Sequence, residues 1–167
     1  MTDKTDIEKK FWKALKSDKT VMLGLTGVDD GRAQPMTAMF EDNDEKKGEH
    51  AGPIWFFTAK DVELVEEMGE RHRACAHFAD RGHDLFASMD GWLIRNTDRR
   101  VVEKLWNPFV AAWFKGGKDD PKLQLLRFEP DCAKVWLNDN SLLAGVKLML
   151  GADPKEDYQD KVAELAV

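Results

Sequence analysis

Two short stretches hold the residues best suited to chemistry. They are Arg32-Ala-Gln-Pro-Met-Thr37 and Trp55-Phe-Phe-Thr-Ala-Lys60. Proline has no amide hydrogen to give to a neighbouring strand, so Pro35 marks a sheet edge or a bulge, where adjacent backbone N–H groups can face a ligand. Thr58 and Lys60 stand where an extended run gives way to a helical one. Such a junction has spare N–H groups and a favourable dipole, and a hydroxyl and a cation there add to what a phosphate needs. The same residues read equally well as a pairing stop and a chain turn, and spacing alone leaves both open.

Other reactive residue types do not assemble a motif. His72, His77 and His83 lie on an expected turn-to-strand passage, where a five-residue separation does not converge two imidazoles on one metal. Asp42-x-Asp44 is not followed by the ligands and glycine of a calcium loop. No metal is expected. Gly116-Gly-Lys118 lacks the earlier glycine and the following Ser/Thr of a phosphate-binding loop, and Gly117 suits a left-handed turn instead. No Gly-x-Ser-x-Gly elbow occurs, and Ser17, Ser88 and Ser141 lack local His and Asp partners, which argues against nucleophilic hydrolysis. Cys75 and Cys132 stand alone and far apart, as ordinary buried thiols.

The elements that must position these residues follow from periodicity. Ile7, Phe11, Trp12 and Leu15 have helical spacing, giving a first helix over 5–16. Residues 20–26 and 32–41 read as antiparallel strands about the Asp30-Gly31 turn signal, with a solvated charged loop over 41–52. A strand over 53–58 precedes a short helix over 61–68 with Asp61 near its start. Strands over 73–79 and 85–95 follow, and Gly91 suggests a bulge or close approach in the second. A helix over 96–106 is capped by Asn96 or Thr97 and stopped by Pro108, with another turn or two of helix over 108–113. Residues 123–128 and 131–137 form a strand interrupted at Pro130, and 141–150 form a last helix with Ser141 as cap and Gly151 as stop. Hairpin-like links rather than βαβ alternation give an α+β class around an antiparallel sheet, of a size that often closes into a small barrel.

Composition narrows the function. The 167 residues, 43% hydrophobic, suit one domain over 1–167, while a net charge of -6 and a pI near 5.3 argue against nucleic acid or an anionic membrane as partner. No apolar stretch reaches the roughly 18 residues that span a bilayer, and the charged start does not fit a secretory signal, so a cytoplasmic protein is expected.

The ordered set Gln34-Pro-Met-Thr37, Ile54-Trp-Phe-Phe-Thr58, Ala76-His-Phe-Ala-Asp80, Ser88-x-x-Gly91, Leu105-Trp-x-Pro108, Ala112-Trp-Phe-x-Gly-Gly-Lys-Asp-Asp-Pro121 and Val135-Trp136 resembles the general stress protein 26 group of the pyridoxamine 5'-phosphate oxidase-like, FMN-binding split-barrel proteins. The resemblance runs over nearly the whole chain. It implies a mainly β, six-stranded antiparallel Greek-key split barrel with short flanking helices, forming a homodimer with FMN in the two grooves between subunits. It implies further that Gln34, Pro35, Met36, Thr37, Phe57 and Thr58 hold the ring and ribityl chain, and that the turn at Lys60 holds the phosphate. Trp113 is implied as the aromatic that the partner subunit lays beside the ring.

Departures from the pattern are specific. Gln34 stands where many relatives have Arg, and Val62 and Leu64 stand where they have Ser and Lys. Lys60 and Thr58 must then carry more of the anion binding, with Arg32 or Arg73. The Arg-rich ending of true pyridoxamine phosphate oxidases is missing, so oxidation of vitamin B6 is not expected. The resemblance implies a flavin-dependent oxidoreductase acting on an unknown small molecule, with no identifiable catalytic side chain. The alternative is a non-catalytic flavin-binding stress protein.

Overall fold

An apolar stripe recurring every three to four residues makes the chain's first described element a helix. The computed structural model describes residues 3–42, 48, 50, 52–138 and 161–167. Helix α1 (Lys4–Asp18) buries Ile7, Phe11, Trp12 and Leu15, the four positions its spacing picked out, and ends at Lys19 in the left-handed conformation. Strands β1 (Thr20–Leu25) and β2 (Ala33–Thr37) form the first hairpin, through a turn where Gly27, Asp29, Asp30 and Gly31 all take positive φ. Then come β3 (Ile54–Ala59), α2 (Glu63–Met68), β4 (Arg71–Ala79) and β5 (Leu85–Asn96), followed by α3 (Arg99–Leu105) and α4 (Pro108–Ala111). The last described strands are β6 (Leu123–Leu137) and β7 (Val162–Leu165).

All pairings are antiparallel, in the order β2-β1-β4-β5-β6-β3, with β7 added to the far half of β6. The two outer strands of that order meet at one bridge, where Met39 and Trp55 exchange two 2.9 Å backbone hydrogen bonds. A six-stranded barrel is thereby nearly closed, as a split-barrel reading requires. Alternate residues of each strand point inward, so that Leu23, Phe56, Ala76, Met89, Leu126 and Phe128 fill the barrel together with the stripe of α1. The unbroken run Ile54, Trp55, Phe56 is explained by burial on both faces. Ile54 and Phe56 face the barrel, while Trp55 packs outside it with Leu125 and with Val101, Val102 and Leu105 of α3.

Several local expectations need correction. The cap of α3 is Asp98, whose carboxylate accepts from Arg100 N, and not Asn96 or Thr97. Asn96 remains in β5, paired with Leu125, and its own side chain accepts from Asp98 N. Strand β6 is not interrupted at Pro130. It runs through, because a register shift at Asp90/Gly91 skips Asp131 and leaves Pro130 opposite Gly91. The close approach expected at Gly91 is present, since a Cβ there would lie 2.2 Å from Glu129 O. Helix α2 begins at Glu63 with Val62 as its cap residue, so Asp61 lies outside it. The thiols are not core groups, because Cys132 is exposed and Cys75 half-buried, on outward-facing positions of β6 and β4. Strand β7 was not expected, its four residues being too short for a periodic signal. The helix over 141–150 and most of the charged loop over 41–52 lie outside the described residues.

Candidate functional site

The two stretches singled out by their residue types form the two banks of the split. Ala38 N donates to Lys19 O, so Met36 and Gln34, at the same parity in the β1 ladder, direct their main-chain groups to β1. Met39, at the opposite parity, directs both of its groups to Trp55. Alternation along a strand then turns the main-chain groups of Thr37 and Pro35 toward β3. On the other bank, Lys60 N donates to Lys122 O, at the parity of Thr58 and Phe56, which are spent on β6. Phe57 and Ala59, at the parity of Trp55, face β2. Among the described residues no ladder pair beyond Met39/Trp55 joins the banks.

That parity places the amide N–H groups of Thr37, Phe57 and Ala59 on the split, with that of Ala33 beyond the end of β3. Pro35 has none to offer, which is why a proline is tolerated in β2. Ala59 O is engaged by Val62 N at 3.4 Å. An edge with unpaired donors is a liability unless something covers it. Such an edge can hold a flat polar ring along its margin.

The side chains divide by the same alternation. Met36 is buried in the barrel, while Pro35 and Thr37 are exposed and Gln34 is half-buried, its amide nitrogen 3.5 Å from Met36 Sδ. Thr58 is 9% exposed and lies across from Gln124, a buried amide that donates to Asn96 O and Leu125 O. Phe57 points outward, edge-on to Trp106 at 6.0 Å. Lys60 is exposed, but its amide is taken by Lys122 O, so the expected spare N–H at that residue is absent. Trp113, just after α4, is 84% exposed and Phe109, within it, 83%, both standing away from the core. No contact among the described residues brings Trp113 to the split.

The surroundings are electrically uneven. Between the β1–β2 turn and α2 lies a cleft of about 200 Å³ that reaches Gln34 and is lined by Asp29, Glu63 and Glu67, with Arg32 as its cation. Arg32 itself sits 3.5 Å from Asp29. Arg73 does not reach the split, because its guanidinium is held on the outer sheet face by Asp131, at 2.5 Å, and over the Trp92 ring. Beyond the Met39–Trp55 bridge a second cleft of about 470 Å³ is floored by Trp55, and each of its cations has a carboxylate partner: Lys104 with Glu41, Arg100 with Asp98, Arg127 with Glu129.

At the end of β3, across from Gln34, the loop that leads into β6 is held by its own hydrogen bonds. Asp120 accepts from Gly116 N and Lys122 N, both at 2.9 Å, bonds that hold its carboxyl below the usual range. Gly117 takes φ +68°, the left-handed turn its sequence suggested. Arg99 of α3 ties the same loop down through Asp119, at 2.6 Å, and Lys118 O. The loop ends at Lys122, whose Nζ lies 2.9 Å from Asp61 and holds that carboxyl below its ordinary range. Lys122 and Asp61 were not among the residues expected at the site. Their signal is the pairing of β3 with β6, which two separated apolar runs do not reveal by themselves.

Comparison with known proteins places this geometry. The family described as pyridoxamine 5'-phosphate oxidase like matches residues 6–158. No curated protein matches the chain. Among solved structures, a general stress FMN/FAD binding protein from Xanthomonas citri is 55% identical, with 84% of this chain and 94% of that one covered and a TM-score of 0.74. A protein assigned to the general stress family from Xanthomonas campestris pv. campestris is 56% identical over 87% of this chain and 96% of its own, TM-score 0.76. One assigned as general stress protein 26 from Jannaschia sp. CCS1 is 29% identical over 99% and 100%, TM-score 0.77.

Proposed function

Because this chain belongs to the pyridoxamine 5'-phosphate oxidase-like family, we infer that it is a flavin-binding stress protein that takes FMN and works as an oxidoreductase on a small molecule. The observation that carries the reading is the split itself: two strand edges whose N–H groups at Thr37, Phe57 and Ala59 face each other without a ladder between them. The residues fit the group. Main-chain donors suit the polar edge of an isoalloxazine, the exposed outer faces of Pro35 and Thr37 leave room beside it, and Gln34, Met36 and Thr58 line the strands that carry those donors. Lys60, at the end of β3, supplies a cation for the phosphate. The Xanthomonas citri relative, described as binding FMN/FAD, supports the same ligand class.

FMN, when bound, supplies hydride or electron transfer at its N5. The chain's own part is position and electrostatics: fixed N–H dipoles near Thr37 favour negative charge on a reduced ring without reorganising. No side-chain acid or base is needed. Trp113 and Phe109 stand too exposed for a lone chain, and in a homodimer Trp113 reaches the partner's groove and covers the ring. No helix among the described residues is long and apolar enough to cross a membrane; a cytoplasmic location is proposed from the two free thiols.

The test is direct. Protein purified from a flavin-rich host should show the absorption of bound flavin, and mass spectrometry of the released ligand should return FMN. Anaerobic bleaching by NAD(P)H followed by selective reoxidation marks an oxidoreductase. Bound flavin that no reductant of this kind bleaches marks a carrier, and a colourless protein that takes up no added FMN ends the reading.

A further inference from the structure

The corner where β3 ends and β6 begins carries a cation that nothing so far assigns. The β3–β6 ladder runs from Ile54/Phe128 to Ala59/Leu123, and the Lys60 N to Lys122 O bond at 2.8 Å extends it by one step. Lys60 and Lys122 are therefore cross-strand neighbours at the mouth of the split. Lys122 is set there from both sides. Its amide donates to Asp120 Oδ1 at 2.9 Å, and its ammonium rests 2.9 Å from Asp61, the residue after Lys60.

The facing β2–α2 side disfavours anions. The cleft beside Gln34 presents Asp29, Glu63 and Glu67 against one guanidinium, and Val62 and Leu64 bring no donor side chain to the start of α2. An anionic group entering the split meets three carboxylates against one guanidinium on the β2–α2 side, and on the β3–β6 side the Lys60 and Lys122 ammonium groups beside the Asp61 and Asp120 carboxylates. The β3–β6 side is the less acidic of the two and brings two ammonium groups together.

We propose that Lys122 is a specificity-determining residue that, paired across the strands with Lys60, holds the terminal phosphate of the flavin, while Asp61 is a positioning residue that keeps the Lys122 ammonium at that corner. This rests on the flavin reading above and goes beyond it by naming the residue that takes over from the missing partners at 62 and 64. Two cations match a terminal phosphate near its second ionisation, and a ligand that lacks the phosphate gains nothing from them.

The experiment compares FMN with riboflavin, its unphosphorylated form, by titrating flavin-free protein and following quenching of flavin fluorescence. Wild type should bind FMN more tightly than riboflavin. Lys122→Met should cut that preference about tenfold by weakening FMN alone, the usual scale for one charge-assisted hydrogen bond. Lys115→Met, in the same loop but without the contact to Asp61, should leave it unchanged. Asp61→Asn, which releases the ammonium, should weaken FMN and leave riboflavin unchanged, whereas tighter FMN binding would overturn the positioning role. Thermal unfolding of each variant checks that the fold is intact. Equal loss of both ligands in Lys122→Met, or an unchanged preference, overturns the assignment while the flavin reading stands. Binding of neither flavin by wild type overturns both.

Discussion

Trp113 shows what a single side chain contributes when the rest of its molecule does not cover it. An indole at 84% exposure adds almost nothing to the folded monomer, so its replacement should separate binding from stability. Trp113→Ala is expected to weaken FMN about tenfold, the loss of one stacking aromatic, with the melting temperature of the flavin-free monomer unchanged. Fluorescence titration beside a thermal melt measures both, and unchanged affinity removes Trp113 from the site. His50 behaves in the opposite way. It packs against Trp12 at 4.4 Å and Phe40 at 5.2 Å, where burial, with Lys16 adding repulsion, pushes its pKa below the usual 6.5 against the raising effects of the Gly52 backbone and Asp42. A depressed folded-state pKa means that the unfolded chain binds the proton better. Stability is then complete above about pH 6.5 and falls as pH drops from there through the folded value. Urea midpoints at pH 7.5 and 5.5 should differ more for wild type than for His50→Gln, and equal differences rule His50 out as the source.

At the scale of elements, α1 matters through what it places in the barrel. Trp12 is 2% exposed and sits beside Phe11 in the core, so Trp12→Ala should cost about 3–5 kcal/mol, measured by chemical denaturation. A cost below 1 kcal/mol would mean that α1 is not a working part of the core. The same scale shows where sequence was legible. The four-residue spacing of Ile7, Phe11 and Leu15 is a local property, and the helix follows it. The cap of α3 was misplaced because Asn96, a good cap by type, is claimed by the β5–β6 ladder, a pairing made with residues about thirty positions away. Pro130 misled for the same reason, since its missing donor is accommodated by the bulge opposite Gly91 on another strand.

For the whole molecule, the unpaired edges of β2 and β3 predict a linkage. A ligand that bridges them binds the folded state alone and must stabilise it. FMN at one hundred times its dissociation constant should add about 2.7 kcal/mol, raising the melting temperature of a chain of this size by about 5–10 °C. Riboflavin should do less at equal concentration. If Trp113 reaches the partner's groove, sedimentation should find a dimer, and dilution into monomer should release the flavin. A monomer that keeps its flavin would place the site wholly within one chain.

By itself the sequence determined the antiparallel α+β class, the first helix, the turn at Gly117 and the two stretches on either side of the split. Each depends on contacts within a few positions along the chain, or on the period of its apolar residues. Tertiary structure alone decided that Thr37, Phe57 and Ala59 present their amides to a gap, that Lys60 spends its own amide on Lys122, and that Lys122 reaches Asp61 across sixty-one positions. Which edge stays unpaired and which charges meet at its end depend on how distant strands register against one another, and that registration is settled by packing in three dimensions.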